Sequence, residues 1–256
     1  MNNDKINILG ININRFNLNM VITKVSEMID KKDKFYICFP NAYLAVIANE
    51  DRKLMEILNS AKMVIPDGMP LVWYSKTFKE SLPQRISGFD FFYNFSKVAN
   101  IRGYSYFFMG GKDETILNNI EEKLKSEFKN IKVKGYYCPP FIGTFSDNVD
   151  ENIISIINKC EPNILWVGLS APKQEKWIYK NIDKLNVKMV CGIGAVFNFY
   201  GGVLKRAPKW LQNIGLEWLF RICMEPKRLI RKYLINNTKF LILIITDLFR
   251  RFLKLK

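Results

Sequence analysis

The chain has 256 residues, of which 48% are hydrophobic and 25% charged, and this composition predicts a folded globular protein rather than a disordered or low-complexity one. It contains no histidine, which excludes imidazole bases, Ser-His-Asp and Cys-His nucleophile pairs, and histidine-containing zinc sites. Acid–base chemistry must therefore fall to carboxylates, Lys, Tyr or Cys.

Seven short apolar runs, rich in β-branched and aromatic residues, predict strands at residues 6–9, 35–39, 63–65, 104–109, 131–136, 164–167 and 188–191. Segments of helical periodicity lie between most of them, at residues 18–29, 42–58, 114–128, 148–157 and 174–182. This alternation predicts an α/β fold with a Rossmann-like, mainly parallel sheet flanked by helices. The composition shifts near residue 201, so we predict an α/β domain over residues 1–200 and a basic, amphipathic helical appendage over residues 201–256.

The N-terminal residues lack the basic and apolar regions of a signal peptide, so we expect a cytoplasmic protein. The five cysteines form no CxxC pair, which predicts neither a metal knuckle nor a disulfide framework. The formal net charge is +15, and residues 201–256 alone hold 13 Lys/Arg against three acidic residues. The basic partner surface is therefore expected in the C-terminal part.

The C-terminal tail mixes apolar residues with Lys and Arg at short intervals, and its longest uncharged run before Asp247 is seven residues. A bilayer span needs roughly 20 apolar residues, so the tail should not cross a membrane. The pattern favours a helix that lies on an anionic membrane surface. Two alternatives remain, a helix packed on the core with solvated charges and a nucleic-acid-binding tail, and we expect no nucleic acid.

Asp67 follows the apolar run at residues 63–65 and precedes Gly68, where a carboxylate can point into the crevice at the end of a strand. It is the strongest candidate for a general base. The alternative is that Asp67 only caps a helix that begins near Met69. Asp90 and Asp113 are weaker candidates, since each fits an ordinary cap or turn.

Two glycine-containing turns follow predicted strands. Gly110 and Gly111 could present backbone N–H groups to a phosphate, but the surrounding spacing is not that of a P-loop. Gly192 and Gly194 are followed by Phe197 where a dinucleotide-binding fingerprint needs its third glycine. An ordinary tight turn is the alternative for each.

Five arginines are candidates to hold phosphate: Arg85, Arg206, Arg221, Arg228 and Arg231. The last three are spaced seven and three residues apart, so one helical face could carry them if Pro226 lies at a helix start. Such a face could neutralise a diphosphate without metal. A solvated basic face is the alternative.

Eight segments, forming an ordered motif series, resemble the WecG/TagA/CpsF glycosyltransferases, glycosyltransferase family 26; they are residues 40–42, 65–69, 85–90, 167–177, 192–199, 205–208, 215–221 and 225–229. The resemblance covers about residues 6–233 and implies a Rossmann-like fold of the GT-E type. It implies an inverting, metal-independent transferase that uses no cofactor. Such an enzyme moves a sugar, N-acetylmannosamine in the type it is most similar to, from a UDP-sugar to undecaprenyl-diphosphate-linked N-acetylglucosamine. The reaction takes place at the inner face of the cell membrane, in the synthesis of wall teichoic acid or another surface polysaccharide.

The resemblance also implies roles for single residues. Asp67 would be the base, Asn41 and Gln174 would contact the sugar and nucleotide, and Arg85 would contact acceptor or phosphate. The arginines that would close over the site from the appendage are Arg221, Arg228 and Arg231.

Three residues depart from the family pattern, Phe39 in place of Thr, Pro70 in place of Gly, and Asn198 in place of Asp. They leave Asp67 in place and leave the donor sugar open, so a different UDP-hexose is one alternative. A non-catalytic α/β protein that binds a membrane or a polyanion is the other. The oligomeric state, a homo-oligomer included, also stays open.

Overall fold

The computed structural model describes residues 4–79, 81–139 and 145–254, and within these the side chains of Arg228 and Lys254 are not described. The strands are β1 (Lys5–Ile8), β2 (Ile11–Asn14), β3 (Phe35–Cys38), β4 (Met63–Val64), β5 (Ser105–Gly110), β6 (Lys132–Tyr137), β7 (Ile164–Gly168) and β8 (Met189–Gly192). The helices before the appendage are α1 (Leu18–Asp30), α2 (Ala42–Glu50), α3 (Arg52–Ser60), α4 (Met69–Ser75), α5 (Gly88–Arg102), α6 (Glu114–Glu127), α7 (Asp147–Cys160), α8 (Lys173–Asn181) and α9 (Val196–Tyr200). Those of the appendage are α10 (Lys209–Asn213), α11 (Glu217–Met224) and α12 (Pro226–Lys254).

Six strands form one parallel sheet in the order β4-β3-β8-β7-β5-β6. Its central strands are buried on both faces, because helices cover each side and alternate residues of one strand enter different cores. In β7, for example, Leu165 lies in one core and Trp166 in the other. The predicted α/β fold with a parallel sheet flanked by helices is confirmed.

The first predicted strand lies outside this sheet. β1 pairs antiparallel with β2, a strand that the sequence pattern does not predict. A tight turn at Leu9 and Gly10, which both have positive φ, connects the two strands. Leucine is an unusual residue for that conformation, so the turn carried no clear sequence signal. The hairpin reaches the main sheet through a side chain, since Asn14 Oδ1 accepts a hydrogen bond from Val64 N at 2.8 Å.

The helix predicted over residues 42–58 is two helices. Asp51 ends α2 and begins α3, and its Oδ1 accepts a hydrogen bond from Leu54 N at 3.1 Å. An aspartate that caps the following turn competes with continued helix, which explains the break.

The single helical face proposed for Arg221, Arg228 and Arg231 is wrong. α11 ends at Met224 and α12 begins at Pro226. Glu225, between them, has φ −136° and ψ 58°, outside the helical region, as a residue that precedes proline prefers. Pro226 does begin a helix, but Arg221 belongs to the helix before it.

The long helix α12 packs against α2 and α4. Leu229 and Phe240 are buried on the packed side, and the Lys232 ammonium lies 3.6 Å from the ring centre of Tyr43 in α2. Tyr74 of α4 donates a hydrogen bond to Asp247. No helix within the described ranges is both long and apolar enough to cross a bilayer.

Candidate functional site

Asp67 lies at the carboxyl edge of the parallel sheet, just past β4. Its backbone N–H donates to the carbonyl of Pro40, at the end of β3, at 2.9 Å. Parallel strands β3 and β4 therefore deliver Asp67 and Asn41 to the same place. Gly68 brings the two loops closer still, because a β-carbon there would lie 3.3 Å from Cα of Asn41.

The interpretation of Asp67 as a helix cap is wrong. Gly68 occupies the N-cap position of α4 and makes no side-chain capping bond. Asn41, in contrast, caps α2, with its Oδ1 accepting from Leu44 N at 3.0 Å. The Asp67 carboxyl therefore makes no capping bond to α4. The side-chain oxygen of Asn41, in contrast, already accepts a hydrogen bond from the backbone of α2.

The Asp67 side chain is half-buried, with 29% of its surface exposed. Burial raises its pKa from 3.8 to about 7, and the positive charge of Arg85 opposes that rise only in part. Arg85 Nε donates to the backbone oxygen of Asp67 at 2.6 Å, and Arg85 Nη2 reaches Asp67 Oδ1 at 3.4 Å. A carboxyl with a pKa near neutrality can accept a proton at physiological pH.

Arg85 belongs to a chain of alternating charges that runs into the appendage. Its Nη2 donates to Glu217 Oε2 at 2.6 Å, and Glu217 Oε1 lies 3.5 Å from Arg206 Nε. Arg206 in turn binds Asp90 through both terminal nitrogens, at 2.8 and 3.1 Å. Asp67, Arg85, Glu217, Arg206 and Asp90 form what we call the charge chain.

Asp90 anchors the far end of the charge chain. Burial alone would raise its pKa, but hydrogen bonds from Arg206 and Ser87, together with the Arg206 charge, lower it to about 2. Ser87 caps α5, and its hydroxyl donates to Asp90 at 2.6 Å. Asp90 is therefore a fixed anion that holds Arg206, and the cap of α5 is Ser87 rather than Asp90.

Gln174 lies against the glycine turn after β8. A β-carbon on Gly192 would come within 2.9 Å of its Nε2, which explains why glycine stands there. Nε2 donates to the neighbouring Glu175 at 2.9 Å. The Gln174 carbonyl oxygen is buried without a hydrogen-bond partner among the residues described.

Glu175 is a second buried carboxyl, for which the sequence predicts no role. Only 3% of the residue is exposed, and burial raises its pKa to about 7, against the lowering effects of the Gln174 hydrogen bond and the Lys232 charge. It lies in the segment 167–177, as Arg206 and Glu217 lie in other segments of the motif series. Their positions in the motif series are therefore the sequence feature that marks these residues as functional, but the motifs alone predict no role for Glu175 or Glu217.

The motif series has a matching family model. The glycosyl transferase WecG/TagA/CpsF family model matches residues 6–254. The chain belongs to this family. The resemblance stated from the motifs is thus confirmed, and the chain is a glycosyltransferase.

Curated relatives match over most of their length. An N-acetylglucosaminyldiphosphoundecaprenol N-acetyl-beta-D-mannosaminyltransferase from Bacillus subtilis (strain 168) is 29% identical over 223 residues, which cover 83% of each chain. A protein of the same name from Staphylococcus aureus (strain MW2) is 24% identical over 230 residues, covering 89% of this chain and 88% of the relative.

The three appendage arginines assigned by resemblance to the WecG/TagA/CpsF family occupy different settings. Arg221 is half-buried, with its guanidinium 5.7 Å from the ring centre of Phe199 and its Nε without a hydrogen-bond partner in the described part of the chain. Arg231 is exposed on α12. The side chain of Arg228 lies outside the described residues. The structure joins Asp67 with Arg85, but it places Arg221 by Phe199 rather than in the charge chain.

In the glycine turn after β5, one of the backbone N–H groups proposed to meet a phosphate is already hydrogen-bonded within the protein. Gly111 N donates to the carbonyl of Gly168 at 3.3 Å, and Asp113 caps α6 by accepting from Ile116 N. The interpretation of Asp113 as an ordinary cap is confirmed. Gly110 allows a close approach of β5 and β7, because a β-carbon there would be 2.5 Å from the backbone of Gly168.

The three departures from the WecG/TagA/CpsF pattern lie in the segments that follow β3, β4 and β8. Phe39 is buried, with its ring centre 5.4 Å from that of Phe91. Pro70 lies in the first turn of α4. Asn198 lies in α9, and its backbone oxygen accepts hydrogen bonds from the backbone N–H groups of Val203 and Leu204. Phe39 therefore contributes apolar packing where a threonine would offer a hydroxyl.

Carboxylates and cysteines form no group that could hold a metal ion within residues 4–79, 81–139 and 145–254. All five cysteines are free.

The outer side of α12 is apolar and exposed. With 3.6 residues per turn, the exposed apolar residues lie opposite the side that packs on α2 and α4. They are Ile230, Leu234, Ile235, Leu241, Ile242, Ile245, Leu248, Phe249, Phe252 and Leu253. The alternative of a helix packed on the core therefore describes one side of α12, and the described part of the chain leaves its outer side exposed.

Proposed function

We propose that this glycosyltransferase moves an N-acetylmannosaminyl group from its UDP-linked donor to N-acetylglucosaminyl-diphosphoundecaprenol, in wall teichoic acid or related surface polysaccharide synthesis. The shared name of the curated relatives supports the substrates. The observation that carries the chemistry is the half-buried Asp67 carboxyl at the sheet edge, beside Arg85 and with its pKa raised to about 7.

The proposed mechanism is a single inverting displacement. Asp67, when ionised, accepts the proton of the attacking acceptor hydroxyl while UDP departs from the opposite face of the sugar. One general base suffices for such a step, and a pKa near the working pH suits it to that role. Arg85 holds the carboxyl in place through its bonds to the backbone and side chain of Asp67.

The leaving diphosphate is proposed to be neutralised by arginines rather than by a metal ion. Arg221, half-buried with an unpartnered Nε among the described residues, is our first candidate, and Arg228 and Arg231 follow it at the start of α12. Guanidinium groups match phosphate oxygens in geometry and charge. Full turnover in EDTA supports this proposal, while loss that Mg²⁺ or Mn²⁺ restores contradicts it.

We further propose that the appendage holds the enzyme on the inner face of the cell membrane. The exposed apolar side of α12 would enter the interface, and neighbouring Lys and Arg would meet anionic lipid. An acceptor whose lipid stays in the bilayer requires the site to come to the membrane. The acceptor chemistry and the surface of α12 thus support the same location.

The decisive experiment incubates the purified protein with single UDP-sugars and a short-chain, water-soluble N-acetylglucosaminyl-diphospholipid, and measures UDP release and product. We expect release with UDP-N-acetylmannosamine, and release slower by about 100-fold or more with Asp67→Asn. Release with another UDP-hexose alone would change the donor and keep the mechanism. No release with any donor would favour the non-catalytic alternative.

A further inference from the structure

The charge chain contains one more carboxylate than guanidinium. Asp67, Glu217 and Asp90 are the carboxylates, and Arg85 and Arg206 are the guanidiniums. Lys209 approaches Asp90 at 3.7 Å, but its side chain is largely exposed, which weakens its effect. The arginines are therefore balanced by Glu217 and Asp90, and the Asp67 charge is the surplus one.

The distances show which carboxylates hold the arginines. Arg85 Nη2 is 2.6 Å from Glu217 and 3.4 Å from the Asp67 carboxyl. Arg206 is held by Asp90 at 2.8 Å. Arg85 therefore attracts the Asp67 carboxyl less strongly than it attracts Glu217, which lies closer to its guanidinium.

Glu217 reaches this position through the backbone of the appendage. It is the first residue of α11 and follows a turn in which Gly215, with φ +72°, lies against α4. A β-carbon on Gly215 would come within 3.0 Å of Met69 Cβ, two residues after Asp67. The contact between this turn and α4 places the Glu217 carboxylate, 16% exposed, between the two arginines.

We propose that Glu217 is a positioning residue of the reaction: it shares the Arg85 guanidinium with Asp67 and so keeps Asp67 able to exchange a proton near neutral pH. This rests on the proposed function, in which Asp67 is the general base. The charged groups that act on Asp67 are Arg85 and Arg206, which favour its ionised form, and Glu217 and Asp90, which oppose it. Without Glu217, Arg85 would serve Asp67 alone.

The test is Glu217→Gln in the full-length enzyme, which removes the charge and nearly preserves the shape. Two quantities are measured: the pH dependence of kcat/KM with the water-soluble acceptor, and the titration of the Asp67 carboxyl by ¹³C NMR. The Asp67 signal is assigned by its absence in Asp67→Asn. We expect both midpoints to fall by about one pH unit or more, because an opposite charge within bonding distance lowers a carboxyl pKa by that scale.

Two further variants separate positioning from folding. Glu217→Asp keeps the charge on a shorter side chain, so we expect a smaller shift of both midpoints in the same direction. Glu122→Gln removes an exposed carboxylate on α6 and should move neither midpoint. A purely structural role for Glu217 would lower turnover at every pH and leave both midpoints in place.

The outcomes distinguish this inference from the proposed function. An unchanged Asp67 titration in folded Glu217→Gln overturns the inference, even if Asp67→Asn is inactive. A lowered titration combined with an active Asp67→Asn keeps the coupling and removes Asp67 as the base. If Glu217→Gln does not fold, the Asp67 titration in Glu217→Asp decides, and a midpoint equal to that of the unsubstituted enzyme overturns the inference.

Discussion

The indole of Trp73 in α4 lies against the backbone of Gly215 in the appendage, where a β-carbon would come within 2.5 Å of the ring. Since α4 begins two residues after Asp67, this contact seats the appendage beside the candidate base. The same turn leads into Glu217, which binds Arg85 at 2.6 Å. The first prediction concerns this contact.

Gly215→Ala should separate the appendage from α4 and lower turnover about tenfold or more. The new methyl group would collide with Trp73, and Glu217 would withdraw from Arg85. Turnover of the water-soluble acceptor and the melting temperature are measured together.

The matched control is Gly103→Ala. Gly103 has a similar φ of +66° but nothing within 4 Å of a new β-carbon, so Gly103→Ala introduces the same backbone strain, about 1 to 2 kcal/mol, without the collision. Equal turnover in the two variants would show that the Trp73 contact does not support the site.

Asp67→Asn should lower turnover about 100-fold or more, the usual scale for a lost general base. In the unsubstituted enzyme, kcat/KM should rise with pH through about 7, because Asp67 accepts a proton only after it ionises and burial raises its pKa to about 7. Asp113→Asn, in which asparagine can cap α6 as aspartate does, is the control and should retain turnover. Near-normal activity of folded Asp67→Asn would show that another group is the base.

Glu175→Gln should increase the free energy of unfolding more at pH 8 than at pH 5. The pKa of Glu175 is raised from 4.5 to about 7 on folding, so the folded state binds the proton more tightly than the unfolded state. The native protein therefore loses stability, relative to the variant, as pH rises through about 7. Between pH 5 and 8 we expect the difference in free energy of unfolding to change by about 2 to 3 kcal/mol in favour of the variant.

Urea denaturation at the two pH values measures this difference. Glu122→Gln, which removes an exposed carboxylate, should show no such pH-dependent gain. A stability difference for Glu175→Gln that is equal at pH 5 and 8 would mean that Glu175 ionises as readily in the folded chain as in the unfolded one.

Replacing Leu241, Ile245 and Phe249 together by Ser should weaken binding to anionic vesicles about tenfold or more. These side chains are about 60% exposed on the outer side of α12, so their replacement leaves the packing on α2 and α4 intact. Vesicle sedimentation at two salt concentrations measures the affinity, with turnover of the water-soluble acceptor as a check that the site is intact.

Ile101→Ser is the control, since Ile101 is 81% exposed on α5 and should not affect vesicle binding. Arg251 is left unchanged because it binds Asp247 at 2.7 Å and lies over Phe78, so it holds α12 to the protein. An unchanged vesicle affinity in the triple variant would remove the membrane role from this side of α12.

The strand pattern was predictable where apolar runs were long and buried on both faces, as in β5 and β7. It failed at β2, whose pairing with β1 depends on a turn at Leu9 that residue type does not announce. It also merged α2 with α3, because helical periodicity continues across Asp51 and only the capping bond to Leu54 reveals the break.

The site was predictable in part. Asp67 and Asn41 follow neighbouring strands, and the carboxyl ends of parallel strands meet at one edge, so their proximity follows from local sequence. The prediction that Arg221 and Arg231 lie on one helix is wrong, because Pro226 begins a new helix. The division at residue 200 stays a prediction, as do the roles of the appendage arginines.

The sequence by itself determined the α/β class, the family and the position of Asp67, because strand periodicity and motif order are local properties of the chain. Only the tertiary structure decided what surrounds Asp67. Glu217 meets Arg85 across 132 residues, and Arg206 meets Asp90 across 116. Such pairings depend on how the appendage packs against α4, and ion-pair energies change steeply with distance and burial, so neither spacing nor composition encodes them.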